Sequence, residues 1–115
     1  MRRRVVLVLG SLALVAPARA HDVPFFWSVE KVMRVTDQTR VRVGAKVVRL
    51  HAETMLCGGQ GIWTRRRSVR RWRHFACTYT TFINGKPDRD LEFRVHVLGI
   101  RRFVITDARW VRESP

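Results

Sequence analysis

The stretch Arg65-Arg66-Arg67-Ser68-Val69-Arg70-Arg71-Trp72-Arg73 holds six guanidinium groups within nine residues, with Trp63 just ahead of it and Trp72 inside it. Guanidinium groups bind phosphate and carboxylate in fork geometry, and an indole can stack on a sugar or a base. Arg65, Arg66, Arg67, Arg70, Arg71, Arg73, Trp63 and Trp72 are therefore the candidate anion-binding set. The partner class is a nucleic acid, an acidic polysaccharide or an anionic membrane surface. A solvated loop would share this composition, because the arginine preference runs along the whole chain: of 23 basic residues only Lys31, Lys46 and Lys86 are lysine.

Other residue types that carry chemistry are sparse. The four histidines, His21, His51, His74 and His96, include no pair spaced three or four apart, so no local metal site is legible. If His21 becomes a mature N-terminus, its amine and imidazole can chelate Cu(II), with His51, His74 or His96 as the second histidine. Cys57-Gly58-Gly59-Gln60-Gly61 lacks the spacing and the following helix of a phosphate cradle. A phosphodiester hydrolase of the ribonuclease type needs a base, an acid and a cation on the phosphate. Glu53, His96 or His74, and Arg94 have the right chemical types, but spacing does not bring them together. No catalytic set and no cofactor motif can be read from the sequence.

Residues 1 to 20 read as an export signal. Arg2, Arg3 and Arg4 form a positive start, Val5 to Val15 is an apolar run, and Ala18-Arg19-Ala20 supplies a cleavage signature. The run is too short to span a bilayer, which takes roughly 20 residues. The mature domain expected is residues 21 to 115, periplasmic or extracellular. The whole chain carries 23 basic and 9 acidic residues for a formal charge of +14; without Arg2, Arg3, Arg4 and Arg19 the balance is 19 against 9, or +10. An apolar fraction of 46% is too high for a disordered basic tail. The length is too small for doubly wound or barrel cofactor enzymes. Two cysteines exclude a disulfide-dense scaffold and a four-thiolate zinc site. In an oxidising compartment Cys57 and Cys77 are expected to pair.

The elements that must position these residues follow from periodicity. Pro24, with Asp22 ahead of it, suits a first helical turn. Phe26, Val29, Met33 and Thr36, with Val32 beside them, form one apolar helix face that ends near residues 34 to 38, and Trp27 falls off that stripe at its edge. Val41 to Cys57 reads as one long strand or two broken at Gly44, and CGGQG as too glycine-rich for an element interior. Trp72 to Phe82, Leu91 to Leu98 and Arg102 to Trp110 read as three further strands joined by hairpins at NGKPDRD and Gly99-Ile100-Arg101. Alternation puts Leu91, Phe93, Val95 and Val97 on one face, with Phe75, Tyr79, Phe103 and Ile105 beside them. Setting Cys57 opposite Cys77 turns Met55 inward but leaves Leu50, Ala52 and Leu56 outward, which a bulge near Cys57-Gly58 would repair. The fold class expected is α+β: an N-terminal helix packed on a four-stranded antiparallel meander, with one disulfide joining the first two strands.

Trp27, Cys57, Gly58, Gly61, Phe75, Cys77, Val97, Leu98, Gly99, Arg102 and Phe103 stand in a pattern that resembles small secreted bacterial proteins of unknown function. Those proteins share a Cys-Gly-x-x-Gly turn, a Phe-x-Cys strand and a Val-Leu-Gly followed by Arg-Phe. The resemblance covers about half the chain and implies the disulfide and the fold, with no activity. More loosely, a helix over a meander resembles the cystatin-like and beta-lactamase-inhibitor-like layouts, which often serve binding. The function expected is an exported, non-enzymatic binding or envelope-associated module with a basic hairpin. The alternative is a secreted ribonuclease-like phosphodiester hydrolase.

Overall fold

The computed structural model describes residues 25–111. The expected export segment, together with His21, Asp22 and Pro24, lies outside the described residues. Helix α1 spans Val29–Thr36, and β1 (Arg40–Val43) and β2 (Lys46–Arg49) form a small antiparallel pair. After a 3-10 turn at Ala52–Thr54, β3 (Met55–Arg66), β4 (Val69–Ile83), β5 (Lys86–Val97) and β6 (Phe103–Val111) form a four-stranded antiparallel sheet in chain order. The helix and the four-stranded meander are as expected. The assignment of its first strand is corrected: Val41 to Cys57 splits at Gly44 into a separate hairpin, and the strand that opens the sheet begins at Met55.

The helix starts later than Pro24, because the cap is Ser28. Its Oγ accepts from the Lys31 backbone N–H at 3.1 Å, satisfying a first-turn donor. Val32 and Thr36 are the fully buried residues of α1, and the Thr36 hydroxyl donates back to the Val32 carbonyl at 2.7 Å. Trp27, expected at the edge of the helical stripe, is instead fully buried. It precedes the helix in extended form and exchanges both backbone hydrogen bonds with Trp72, at 2.8 and 2.7 Å. Trp27 thus pairs with β4 just beyond the point where β5 stops at Val97. Its indole Nε1 donates to the Gly99 carbonyl at 3.1 Å, and its ring meets Phe103 edge-on at 6.1 Å. The apolar period of 3.6 could not show this, because the residue works as a strand.

One face of the sheet carries Met55, Phe75, Cys77, Tyr79, Leu91, Phe93, Val95 and Val97, all buried. Trp27, α1 and the β1–β2 hairpin, through Val41, close over it. Phe103 and Ile105, expected inside, pack partly buried against the same cluster. The register Val97↔Phe103 and Val95↔Ile105 is the expected one. Between β4 and β5 the turn is Asn84-Gly85, with both residues at positive φ, as a two-residue hairpin requires. It is tighter than the NGKPDRD connection expected, and residues 86–90 of that stretch belong to β5. The shift preserves which side chains face inward because a bulge lies between Thr81 and Phe82. Leu50 is buried in the core cluster although it lies outside the main sheet, its backbone bonded to Gln38 and Thr39, while Leu56 is exposed.

Cys57 and Cys77 are register partners and form the disulfide, with Cα atoms 4.0 Å apart. The bridge joins the first two strands of the sheet, as expected. The glycine-rich CGGQG segment lies inside β3, contrary to its sequence reading. The reason is local. A Cβ on Gly59 would come within 1.9 Å of the Trp72 ring, so that ring fills the place of the missing side chain. Gly61 sits at φ +79, inside the irregularity between Gln60 and Trp63, which is where the bulge falls rather than at Cys57-Gly58. Gly59→Ala should therefore lower unfolding free energy by about 1–3 kcal/mol, as overpacking does. Urea denaturation checks it, and an unchanged midpoint for Gly59→Ala would contradict the packing of Trp72 described here.

Candidate functional site

The arginine run forms the end of the β3–β4 hairpin. The turn is Arg67-Ser68, with φ values of 54° and 66°. Both residues are left-handed without being glycine, a conformation that costs L-residues roughly 1–2 kcal/mol each. Beyond the bulge, Trp63 pairs with Trp72, Thr64 with Arg71, and Arg65 with Arg70. The two indoles have different surroundings. Trp72 is half-buried, covering Gly59 and meeting Phe75 edge-on at 6.1 Å. Trp63 is exposed, with the Arg70 guanidinium 4.5 Å and that of Arg65 5.7 Å from its ring centroid, a cation–π arrangement. Of the two rings in the candidate set, Trp63 is the exposed one, and it carries the two guanidinium groups on the hairpin surface.

The other side of the hairpin end faces the start of α1. A cleft of about 490 Å³ lies there, lined by Phe26, Lys31, Thr64, Arg65, Arg66, Arg67 and Arg71. The Arg71 Nε is buried and has no hydrogen-bond partner among the described residues. A buried, unmatched guanidinium donor is costly unless an acceptor reaches it. Lys31, from the helix, adds a fifth cation. Burial first, and then the charges of Arg34, Arg101 and Arg71, hold its ammonium below the usual lysine range. Among the described residues there are two ion pairs, Arg94–Asp107 and Arg109–Glu92, and neither uses an arginine of the 65–73 run. Arg73 is exposed and does not line the cleft. Lys31 was not in the sequence-derived set, because only the fold carries α1 to the hairpin.

A second constellation stands on the sheet face that α1 leaves open. His74 and His96 are register partners on β4 and β5, and their Nδ1 atoms are 2.9 Å apart. His96 Nε2 lies 2.8 Å from the Thr106 hydroxyl, which donates to Asp107 at 3.2 Å. Arg94 donates to Gln60 at 3.1 Å and lies 4.0 Å from the Asp107 carboxylate. The sheet therefore brings together His74, His96 and Arg94. Glu53, the carboxylate considered with them, is exposed on the 3-10 turn before β3 and has no place in this network. His51 lies near Tyr79, with ring centroids 6.2 Å apart, and its Nδ1 is 3.1 Å from Gln38 Nε2. No group of three or more metal-ligating side chains occurs among the described residues.

Comparison with known proteins finds no family model that matches the chain and no similar curated protein or solved structure. The chemistry of the site is read from its own residues.

His74 yields a test of the open-face network. Burial, then the neighbouring His96, then Arg73 push its pKa below the ordinary histidine value. The folded protein then binds this proton less readily than the unfolded chain. The stability contribution is complete above the ordinary histidine range and is lost as the pH falls through that range toward the folded value. In urea denaturation between about pH 8 and about pH 5, His74→Gln should reduce the loss of stability on acidification. A slope as steep as that of the wild type would contradict the assignment.

Proposed function

We propose that this chain is an exported, non-enzymatic binding module, and that its β3–β4 hairpin grips an anionic polymer bearing phosphate, sulfate or carboxylate groups. The observation that carries the reading is the cleft between α1 and the hairpin. Lys31, Arg65, Arg66, Arg67 and Arg71 converge there, and the buried Arg71 Nε has no acceptor among the described residues. Like charges held together, with no carboxylate among the described residues that line the cleft, destabilise the free protein. An anion entering the cleft relieves that repulsion and supplies acceptors in the fork geometry that guanidinium groups prefer. Trp63, exposed and flanked by Arg65 and Arg70, adds an aromatic surface beside the cleft.

The disulfide agrees with an oxidising compartment. No helix among the described residues is long and apolar enough to cross a membrane. Export itself rests on the sequence pattern of residues 1 to 20. The hydrolase alternative has two imidazoles and one guanidinium on the open face in its favour, with Glu53 on a separate element.

Binding to a heparin oligosaccharide and to a single-stranded oligonucleotide should weaken steeply with salt, because each neutralised phosphate or sulfate releases counterions. Replacing Arg65, Arg66, Arg67 and Arg71 with Gln should cut the slope of log affinity against log salt by about 3, measured by fluorescence anisotropy. Salt-sensitive binding that the four substitutions leave intact would remove the hairpin as the site. Steady RNA cleavage by the wild type, abolished in His74→Ala or His96→Ala, would favour the hydrolase instead.

A further inference from the structure

We propose that His74 and His96 form a Cu(II)-binding pair on the open face of the sheet, independent of the anion-binding cleft. The pair is cross-strand, so no sequence spacing reveals it. Its separation is set by the β4–β5 register His74↔His96, two residues along from Ala76↔Arg94 in a regular ladder.

Both ring nitrogens of His96 have a partner: Nδ1 faces His74 Nδ1 and Nε2 faces the Thr106 hydroxyl, which also lies 3.2 Å from Asp107. In the tautomer that can ligate, Nε2–H of His96 donates to the Thr106 oxygen, the hydroxyl proton turns to Asp107, and Nδ1 presents a lone pair toward His74. This is the arrangement in which outer hydrogen bonds orient a metal-ligating imidazole: the far ring nitrogen donates, and the near one is free to ligate. His74 is exposed and can place its proton on Nε2 instead of Nδ1. A metal ion then replaces the proton as the link between the two nitrogens, seated to one side of the line that joins them; both imidazoles remain neutral, and no proton need be released.

The separation also selects among metals. With metal–nitrogen bonds of about 2.0 Å, two nitrogens 2.9 Å apart subtend roughly 90° at the ion. That is the angle between adjacent positions of a tetragonal Cu(II) site, whereas a tetrahedral Zn(II) site needs the nitrogens farther apart. Imidazole ligation and the general order of divalent affinities favour copper as well. The exposed side of His74 leaves room for water to complete the coordination. Of the nearby cations, Arg94 is partly neutralised by Asp107, and Arg73 opposes the ion.

The test is titration of the purified, oxidised protein with Cu(II) in a non-coordinating buffer, followed by calorimetry and electron paramagnetic resonance. One equivalent should bind, with a tetragonal spectrum split by two nitrogens, and Zn(II) should bind more weakly. His74→Ala and His96→Ala should each weaken copper binding by about tenfold or more, and Thr106→Val by a smaller factor, since it removes only the orienting partner. His51→Ala should leave it unchanged. Wild-type NMR provides a readout that needs no variant: sub-stoichiometric Cu(II) should broaden the ring resonances of His74 and His96 before all others. Broadening confined to other residues, copper binding unaltered in both His74→Ala and His96→Ala, or no binding of an equimolar ion would overturn the proposal. A site made by His21 with His51 would give the second of these results.

Discussion

The pairing of β3 with β4 is the constraint on which the molecule depends. Its register is fixed where Cys57 faces Cys77 and is locked covalently at that point. In the chain-entropy model a bridge closing a loop of this kind stabilises by about 3 kcal/mol, a large share for a domain whose core is small. The register decides which side of β4 is apolar. Phe75, Cys77 and Tyr79 face α1 and the β1–β2 hairpin, while His74 faces the open side. Beyond the bridge the same two strands continue past Phe75 and the Trp27–Trp72 pair and become the arginine hairpin, so the covalent link lies within the packed body that carries the charged end.

Trp27 is the second fixed point. Its backbone pairs with Trp72, its indole nitrogen reaches Gly99, and Lys31 lies 5.1 Å from its ring centroid. The start of α1 is thereby held against the hairpin at the level where the arginines begin, which is how one lysine from a distant part of the sequence joins them. The resulting cluster opposes folding electrostatically, and the left-handed Arg67-Ser68 turn adds local strain. Both features make sense if the occupied cleft, rather than the free one, is the functional state. A ligand that binds only the folded chain also raises its stability by mass action.

Strand alternation made much of this fold readable. The inward set of β4 and β5 follows from a period of two and the register of β5 on β6 from the short Gly99-Ile100-Arg101 turn, both local properties. The Cys57–Cys77 link follows from two lone cysteines in an oxidising compartment. The arginine hairpin was visible as a local property too, a dense run of one residue type. What stayed hidden depends on contacts between distant segments. Trp27 looked like an edge residue of a helix because its strand partner, Trp72, lies 45 positions away. CGGQG looked like a loop because Gly59 is explained by the ring that covers it. Arg67-Ser68 lacks the Asn-Gly chemistry that announced the Asn84-Gly85 turn. The His74–His96 contact and the approach of Lys31 to Arg71 belong to the same class, since sequence spacing carries no signal for a cross-strand pair or a docked helix.

The cleft as the anion site is tested most directly by NMR titration of the wild-type protein with inorganic phosphate, against chloride at equal ionic strength. The resonances expected to move are the Arg71 Nε–H, as it gains an acceptor, and the backbone amides of residues 64–67 and 31. They should saturate together and be unmoved by chloride. Shifts spread evenly over exposed arginines and equal in both salts would contradict a defined site and leave the hairpin as a solvated charge run.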